Sequence, residues 1–236
     1  ETELSRNGQL PASEKKPADQ LWTELITREG SGSMGYMAMI RNLRNMLQAG
    51  ISDETWELVA SKIRNPKAVA KSKQLPFGFI NAYDIAKSAG VPKLVLNALR
   101  DATEQSLANM PQLGKRVWII VDCSGSMNHF SYAGGNYSVS YGKAPLDQNS
   151  PIKIAAIFGA ALVKASRNSF ESNFTMFDDY AKKVDLDPND SIFTLYEKIM
   201  DRNAGGGTNL QSALDTKPKL GFEPDTVILL SDMEVN

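Results

Sequence analysis

The sequence contains very little cysteine or histidine, which limits the kinds of site it can build. Its 236 residues include one cysteine, Cys123, and one histidine, His129. A single cysteine cannot form an intramolecular disulfide, and one residue of each type cannot hold a Cys/His zinc cluster. Because nothing here requires an oxidising compartment, we expect a reducing, cytoplasmic location.

Long apolar runs and a strong net charge are also absent. No apolar run approaches the roughly 20 residues that cross a bilayer, and the amino end carries no basic-then-apolar leader. We therefore expect no membrane partner. Lys and Arg number 26 against 27 Asp and Glu, so the overall charge favours no class of partner. The local exception is a basic run without acidic residues over 62–73, which indicates either a solvated helix surface or a phosphate-contacting one.

The most informative stretch is Asp122-Cys123-Ser124-Gly125-Ser126, which directly follows the apolar run 117–121. The run predicts a buried parallel strand, so Asp122 stands at a carboxyl end, where open α/β sheets bind ligands. One carboxylate and two hydroxyls on a tight loop suit a hard divalent cation such as Mg²⁺. The alternative is that these side chains only cap the strand end.

Two later stretches complete a recognisable pattern. Thr208 follows the glycine-rich loop 205–207, and Asp232 follows the second apolar run, 227–230. In this order the segments resemble the metal-ion-dependent adhesion site of the von Willebrand factor A domain. The resemblance implies Mg²⁺, or another divalent cation such as Mn²⁺ or Ca²⁺, with one position open to an Asp or Glu of a protein partner. The implied metal residues are Asp122, Ser124, Ser126, Thr208 and Asp232.

Helical periodicity marks the first half of the chain. Residues 1–17 are predicted to be a flexible tail or connector. Residues 18–110 predict five helices joined by short breaks, an α-helical repeat layer. One of these helices is predicted over 34–49, with Arg41 and Arg44 on a shared face.

The second half alternates strand and helix. Residues 111–115 form the predicted junction, and 116–236 predict a doubly wound α/β sheet with a hairpin over 173–186. The stretch 128–150 is rich in Tyr, Ser and Gly, which is typical of an adaptable binding loop or of disorder.

Three helical stretches resemble the TROVE module of the Ro autoantigen family, which has bacterial and phage relatives. They cover residues 25–29, 39–47 and 72–77. The resemblance extends over about 18–236 and implies a HEAT-like helical repeat segment followed by a von Willebrand factor A-type domain. In that family a helical ring binds single-stranded 3′ ends of misfolded RNAs, and small Y RNAs bind outside the ring. The helical part is short and the sequence stops soon after Asp232, so we expect a chain that is incomplete at both ends or completed by another chain.

We therefore interpret the chain as a noncatalytic RNA-binding protein of Ro type that binds small or misfolded RNA and holds a divalent cation. A metal-dependent protein–protein interaction module and a structural subunit of a larger assembly remain alternatives. An enzyme is disfavoured because the sequence lacks a Gly-x-x-x-x-Gly-Lys loop and an evident general base or activated nucleophile. The predicted RNA-binding residues are the basic side chains Arg41, Arg44, Lys62, Arg64, Lys67, Lys71 and Lys73.

Overall fold

A computed structural model of the chain describes residues 15–28, 30, 32–111, 113–128, 150–203 and 205–233. Most of the predicted tail and nearly all of the predicted loop over 128–150 lie outside these residues. Contacts divide the chain into two compact units. The first comprises residues up to 74 together with 78–106, and the second comprises 75–77 and the residues from 107 onward.

The first unit is helical. Over the described part of 18–106 the chain forms seven helices, which are α1 (Ala18–Thr27), α2 (Tyr36–Arg41), α3 (Leu43–Ala49), α4 (Asp53–Ile63), α5 (Pro66–Ser72), α6 (Pro76–Ala89) and α7 (Lys93–Ser106). Five helices were expected, and part of the difference arises at Asn42, which separates α2 from α3. Its side chain donates a hydrogen bond to Ala38 O (2.8 Å), and such side-chain bonds compete with the helical backbone pattern.

Local capping explains several helix boundaries. Ser52 accepts a hydrogen bond from the Thr55 N–H (3.3 Å) at the start of α4, and Gly50 ends α3 in the left-handed conformation (φ 70°). Asn65 caps α5 by accepting from two backbone N–H groups, and Pro66 occupies the first helical position, where its missing N–H costs nothing.

A single apolar core holds the first unit together. It includes Trp22 of α1, Met46 of α3, Trp56 of α4 and Leu99 of α7, each at most 4% exposed. Tyr36 of α2 adds a buried polar contact, because its hydroxyl donates to Ile63 O (2.7 Å). Desolvation raises the pKa of this phenol well above its usual value.

The second unit alternates strands and helices. Its main elements are β1 (Arg116–Asp122), α8 (Pro151–Ala165), β2 (Glu171–Phe177), β3 (Ala181–Lys183), α9 (Ile192–Met200), α10 (Leu210–Leu214) and β4 (Thr226–Leu230). The described strands form one sheet in the order β3-β2-β1-β4. β1 runs parallel to both β2 and β4, whereas β3 is antiparallel to β2, as the predicted hairpin requires.

Strand register brings the ends of the three parallel strands together. Asp122 pairs with Phe177, and Val121 pairs with Leu230, so the residues that follow β1, β2 and β4 share one edge of the sheet. On one face Trp118, Ile120 and Phe177 pack around Ala213 of α10. On the other face α8 packs on β1, and α9 packs on α8.

Helices on both sheet faces confirm the expected fold class, a helical segment followed by a doubly wound α/β unit. Among the described residues, no helix combines the length and apolarity that a membrane span requires.

Candidate functional site

The loop after β1 gathers the predicted oxygen ligands around a buried carboxylate. Asp122 and Ser124 are both fully buried. One oxygen of Asp122, Oδ1, accepts a hydrogen bond from the Ser124 N–H (2.8 Å), which holds the loop in a tight turn. The hydroxyl oxygens of Ser124 and Ser126 lie 3.1 Å apart. The Asp-x-Ser-x-Ser spacing therefore places two hydroxyls beside each other, directly after the buried carboxylate.

Strand β4 delivers a second segment to the same point. Its last residue is followed by Ser231, whose hydroxyl donates to the other oxygen of Asp122, Oδ2 (2.8 Å). The predicted metal residue Asp232 comes next in the chain and is half-buried. Ser231 was not among the predicted site residues, although its position before Asp232 at a strand end was a usable signal.

The glycine-rich loop forms the third segment. Gly125 N–H donates to Gly206 O (2.7 Å), and Gly205 N–H donates to Cys123 O (3.0 Å), so this loop is bonded directly to the loop after β1. Gly205 has a φ of 76°, a conformation that favours glycine. Two residues after Gly206 lies Thr208, half-buried, and Asn209 caps α10.

The turn after β2 contacts the glycine-rich loop and the residue that caps α10. Asn209 N–H donates to Asp178 O (2.9 Å). A Cβ added at Gly206 would lie 2.5 Å from the Asp179 carboxylate, and one added at Gly207 would lie equally close. A larger residue at either position would therefore have to displace the Asp179 side chain.

Two asparagine side chains hold the loop after β1 through hydrogen bonds. Asn128 is buried, and its amide N–H donates to Ser124 O (3.0 Å). Asn128 and Asn203 also exchange hydrogen bonds through their side-chain amides. Sequence reasoning missed this pair, because the two residues are 75 positions apart and asparagine is common in loops.

The donor set at this edge fits a hard cation. Among the described residues, Asp122 forms no ion pair with Lys or Arg, so its buried charge is balanced only by two hydrogen-bond donors. Within the same residues, no cluster of three or more His, Cys, Asp or Glu could hold a metal. An ion here would use hydroxyl, carboxylate and water oxygens, which suits Mg²⁺, Mn²⁺ or Ca²⁺ rather than Zn²⁺.

The neighbouring Cys123 is buried, and its thiol donates to Phe177 O (3.2 Å). This burial is typical of a cysteine that acts as a small packing residue. A reactive thiol would instead need an exposed, electropositive setting.

The predicted RNA-binding residues lie in the first unit and fall into two groups. Lys62 is half-buried, and its ammonium donates to Ile26 O near the end of α1. Arg64 is exposed, with its Nε–H donating to Ala60 O (3.3 Å). The remaining five side chains are exposed and form no hydrogen bond or ion pair with another described residue, and they are Arg41, Arg44, Lys67, Lys71 and Lys73.

Comparisons with known proteins agree with the resemblance found in the sequence. Residues 8–122 match the TROVE domain family. A 64-residue segment is 45% identical to telomerase protein component 1 of Mus musculus and, equally, to that of Rattus norvegicus. That segment covers 27% of this chain and 2% of either relative.

A solved structure shows the same fold. The crystal structure of the Deinococcus radiodurans Ro (RSR) protein superposes with a TM-score of 0.63 at 19% sequence identity. The match covers 86% of this chain and 41% of that protein, so this chain spans less than half of its length. Together these matches are consistent with a Ro-like TROVE protein, and the solved structure shows the same fold, a helical segment followed by an α/β unit.

Proposed function

Starting from this likeness to Ro-like TROVE proteins, we propose that the chain is a noncatalytic RNA-binding protein. The observation that carries the proposal is the TROVE match over 8–122, because it includes every predicted RNA-binding residue. The RNA would be a small Y-like RNA or the single-stranded 3′ end of a misfolded one. Its phosphates would contact exposed Lys and Arg side chains, which give affinity with little reading of sequence.

The predicted RNA-binding side chains differ in their surroundings, which supports different roles for them. Lys62 already donates to a helix carbonyl, so removing it should weaken the fold more than it weakens RNA binding. Arg64 is exposed but also donates to a helix carbonyl, whereas the side chains of the other exposed cations of the predicted set bond no described residue. We therefore assign phosphate contact to the five exposed side chains that form no bond there, Arg41, Arg44, Lys67, Lys71 and Lys73.

A salt series tests this assignment. Five neutralised phosphates on a single strand predict a slope of log K against log salt of about −3.5, or about 100-fold weaker binding between ~50 and ~200 mM salt. Fluorescence anisotropy of the purified chain with a labelled single-stranded RNA, with and without EDTA, measures that slope. Lys67→Gln should reduce the slope by about 0.7, whereas Lys62→Gln should leave it unchanged and lower the melting temperature.

The absence of binding at low salt would refute RNA binding by this chain. A slope that responds equally to Lys62→Gln and Lys67→Gln would refute the division of roles. Binding that ignores EDTA would place the RNA on the helical unit without help from a cation.

We further propose that the edge around Asp122 holds a divalent cation, with Ser124, Ser126, Thr208 and Asp232 as the other ligands. The supporting observation is the buried Asp122 carboxylate, which is followed in the loop by two adjoining hydroxyls and has no cationic partner among the described residues. A carboxylate from a protein partner would complete the coordination, which gives the chain a second function as a metal-dependent interaction module. The alternative without a cation is a structural subunit of a larger assembly.

A further inference from the structure

A groove in the helical unit combines features that suit one unstacked nucleotide. It lies between α2–α3 and α6 and encloses about 430 Å³, within the range of small-ligand sites. Within the described part of the chain, its charged lining residues are Arg41 and Arg44, and no acidic side chain there lines it. The groove therefore presents a positive rim without a compensating negative charge, which favours an anionic occupant.

Part of the groove wall is apolar and open to solvent. Met37 is half-buried on one side, and Ile85 is 41% exposed on the other. Unpaired bases stack on guanidinium planes and also pack between apolar side chains.

An amide inside the groove can read the edge of a base. Asn81 of α6 lines the groove and is half-buried, and its side-chain amide forms no hydrogen bond with another described residue. Asn45 also lines the groove, with its amide N–H donating to Asn42 Oδ1 (2.8 Å), which leaves its own carbonyl oxygen as an acceptor. A carboxamide matches adenine best, because it can accept from N6 and donate to N7 at once.

We propose that this groove binds one adenine nucleotide of a single-stranded RNA. The base lies between Met37 and Ile85, Asn81 pairs with its N6/N7 edge, and Arg41 and Arg44 contact the flanking phosphates. This inference rests on the RNA binding proposed above and adds a base preference to it. It commits to RNA rather than to an acidic peptide because a peptide carboxylate would use the arginines but leave the amide and the stacking walls without partners.

Comparing the affinities of two homopolymers tests the proposed adenine site separately from RNA binding in general. Anisotropy with labelled oligoadenylate and oligouridylate of equal length, at one fixed salt concentration, should show about tenfold tighter binding of the adenine strand. Asn81→Ala should remove this preference while binding of the uridine strand is retained. Ile85→Ser should weaken both strands through lost stacking.

Two matched controls separate the groove from general effects. Gln48→Ala removes an exposed amide of α3 that does not line the groove and should leave the preference intact. Lys67→Gln removes a phosphate contact outside the groove and should weaken both strands equally. Circular dichroism of each variant checks that the helical unit is folded.

Equal affinity for the two strands in the wild type, or an adenine preference that survives Asn81→Ala, would overturn the proposed adenine site while leaving the proposal of RNA binding in place. Failure of both strands to bind at low salt would overturn RNA binding and the groove together. Displacement of RNA by an acidic peptide, with Asn81→Ala indistinguishable from wild type, would assign the groove to a protein partner instead.

Discussion

We expect Asp122→Asn to be at least as stable as the wild type without Mg²⁺ and less stable than the wild type with Mg²⁺. In the metal-free protein the Asp122 charge is fully buried and is balanced only by the Ser124 N–H and the Ser231 hydroxyl. Burying an uncompensated charge is costly. Asn keeps the acceptor for Ser124, and its amide N–H can donate to Ser231 Oγ after the hydroxyl rotates. We therefore expect Asp122→Asn to equal or exceed the wild type in stability in EDTA.

Mg²⁺ should change this order because only the wild type carries the charge that binds it. At a free concentration of ~100 times Kd, binding to the native state adds about 2.7 kcal/mol to the free energy of unfolding. For a chain of this size that gain corresponds to a rise in melting temperature of about 5–10 °C. The variant should gain little, so the wild type becomes the more stable protein in Mg²⁺.

Thermal unfolding followed by circular dichroism, in EDTA and in excess MgCl₂ at matched ionic strength, measures both parts of the prediction. Asp215→Asn serves as the control, because it removes an exposed carboxylate at the end of α10 and should leave the Mg²⁺ response unchanged. The reasoning fails if Mg²⁺ does not stabilise the wild type, or if Asp122→Asn responds to Mg²⁺ as fully as the wild type does.

Two further predictions concern the sheet. Thr175→Val should cost about 1–3 kcal/mol, because it leaves the buried Trp118 Nε1–H, which donates to Thr175 Oγ1 (2.9 Å), without its acceptor; urea denaturation measures the loss, and unchanged stability would contradict it. At Asp225, partial desolvation acts to raise the carboxyl pKa, but the net shift of that pKa is downward. It is lowered by hydrogen bonds from the Arg116 N–H, the Thr226 hydroxyl and the Lys115 N–H, and by the Arg116 charge. A lowered folded-state pKa contributes stability above the unfolded value, and this stability is lost as pH falls through the folded value. The stability difference between wild type and Asp225→Asn should therefore shrink on acidification, and a difference independent of pH in calorimetry would count against this linkage.

Features set by neighbouring residues could be predicted from the sequence. The apolar runs before Asp122 and Ser231 form parallel strands, and Ser52, which precedes two acidic residues in the sequence, caps α4. The hairpin was also expected, although β3 covers only Ala181–Lys183. These features depend on local apolar pattern and local hydrogen bonding, which a sequence displays directly.

Features set by contacts between distant residues could not be predicted in this way. The Ser231 hydroxyl reaches Asp122 across 109 positions, and the Asn128–Asn203 pair spans 75. The split at Asn42 arises from a choice between two local hydrogen-bonding patterns, and helix periodicity alone does not decide between them. Charge counting likewise treated Lys62 and Lys67 alike, whereas the structure gives the first a carbonyl partner and leaves the second exposed.

The two proposed binding regions differ in charge and burial: the helices carry exposed cations, and the sheet edge carries a buried carboxylate. Experiments in solution can therefore distinguish ligands of the two regions. Exposed cations such as Arg41 and Lys67 act over about one Debye length, ~10 Å at 0.1 M salt, so added salt should weaken their contacts strongly. The Asp122 carboxylate is buried, so a cation bound to it would be screened far less by salt but would be removed by a chelator. A ligand that depends on salt but not on EDTA therefore belongs to the helices, and one with the opposite dependence belongs to the edge of the sheet. A ligand whose binding is weakened both by salt and by EDTA would have to contact both units. Neither unit's own structure requires such a ligand.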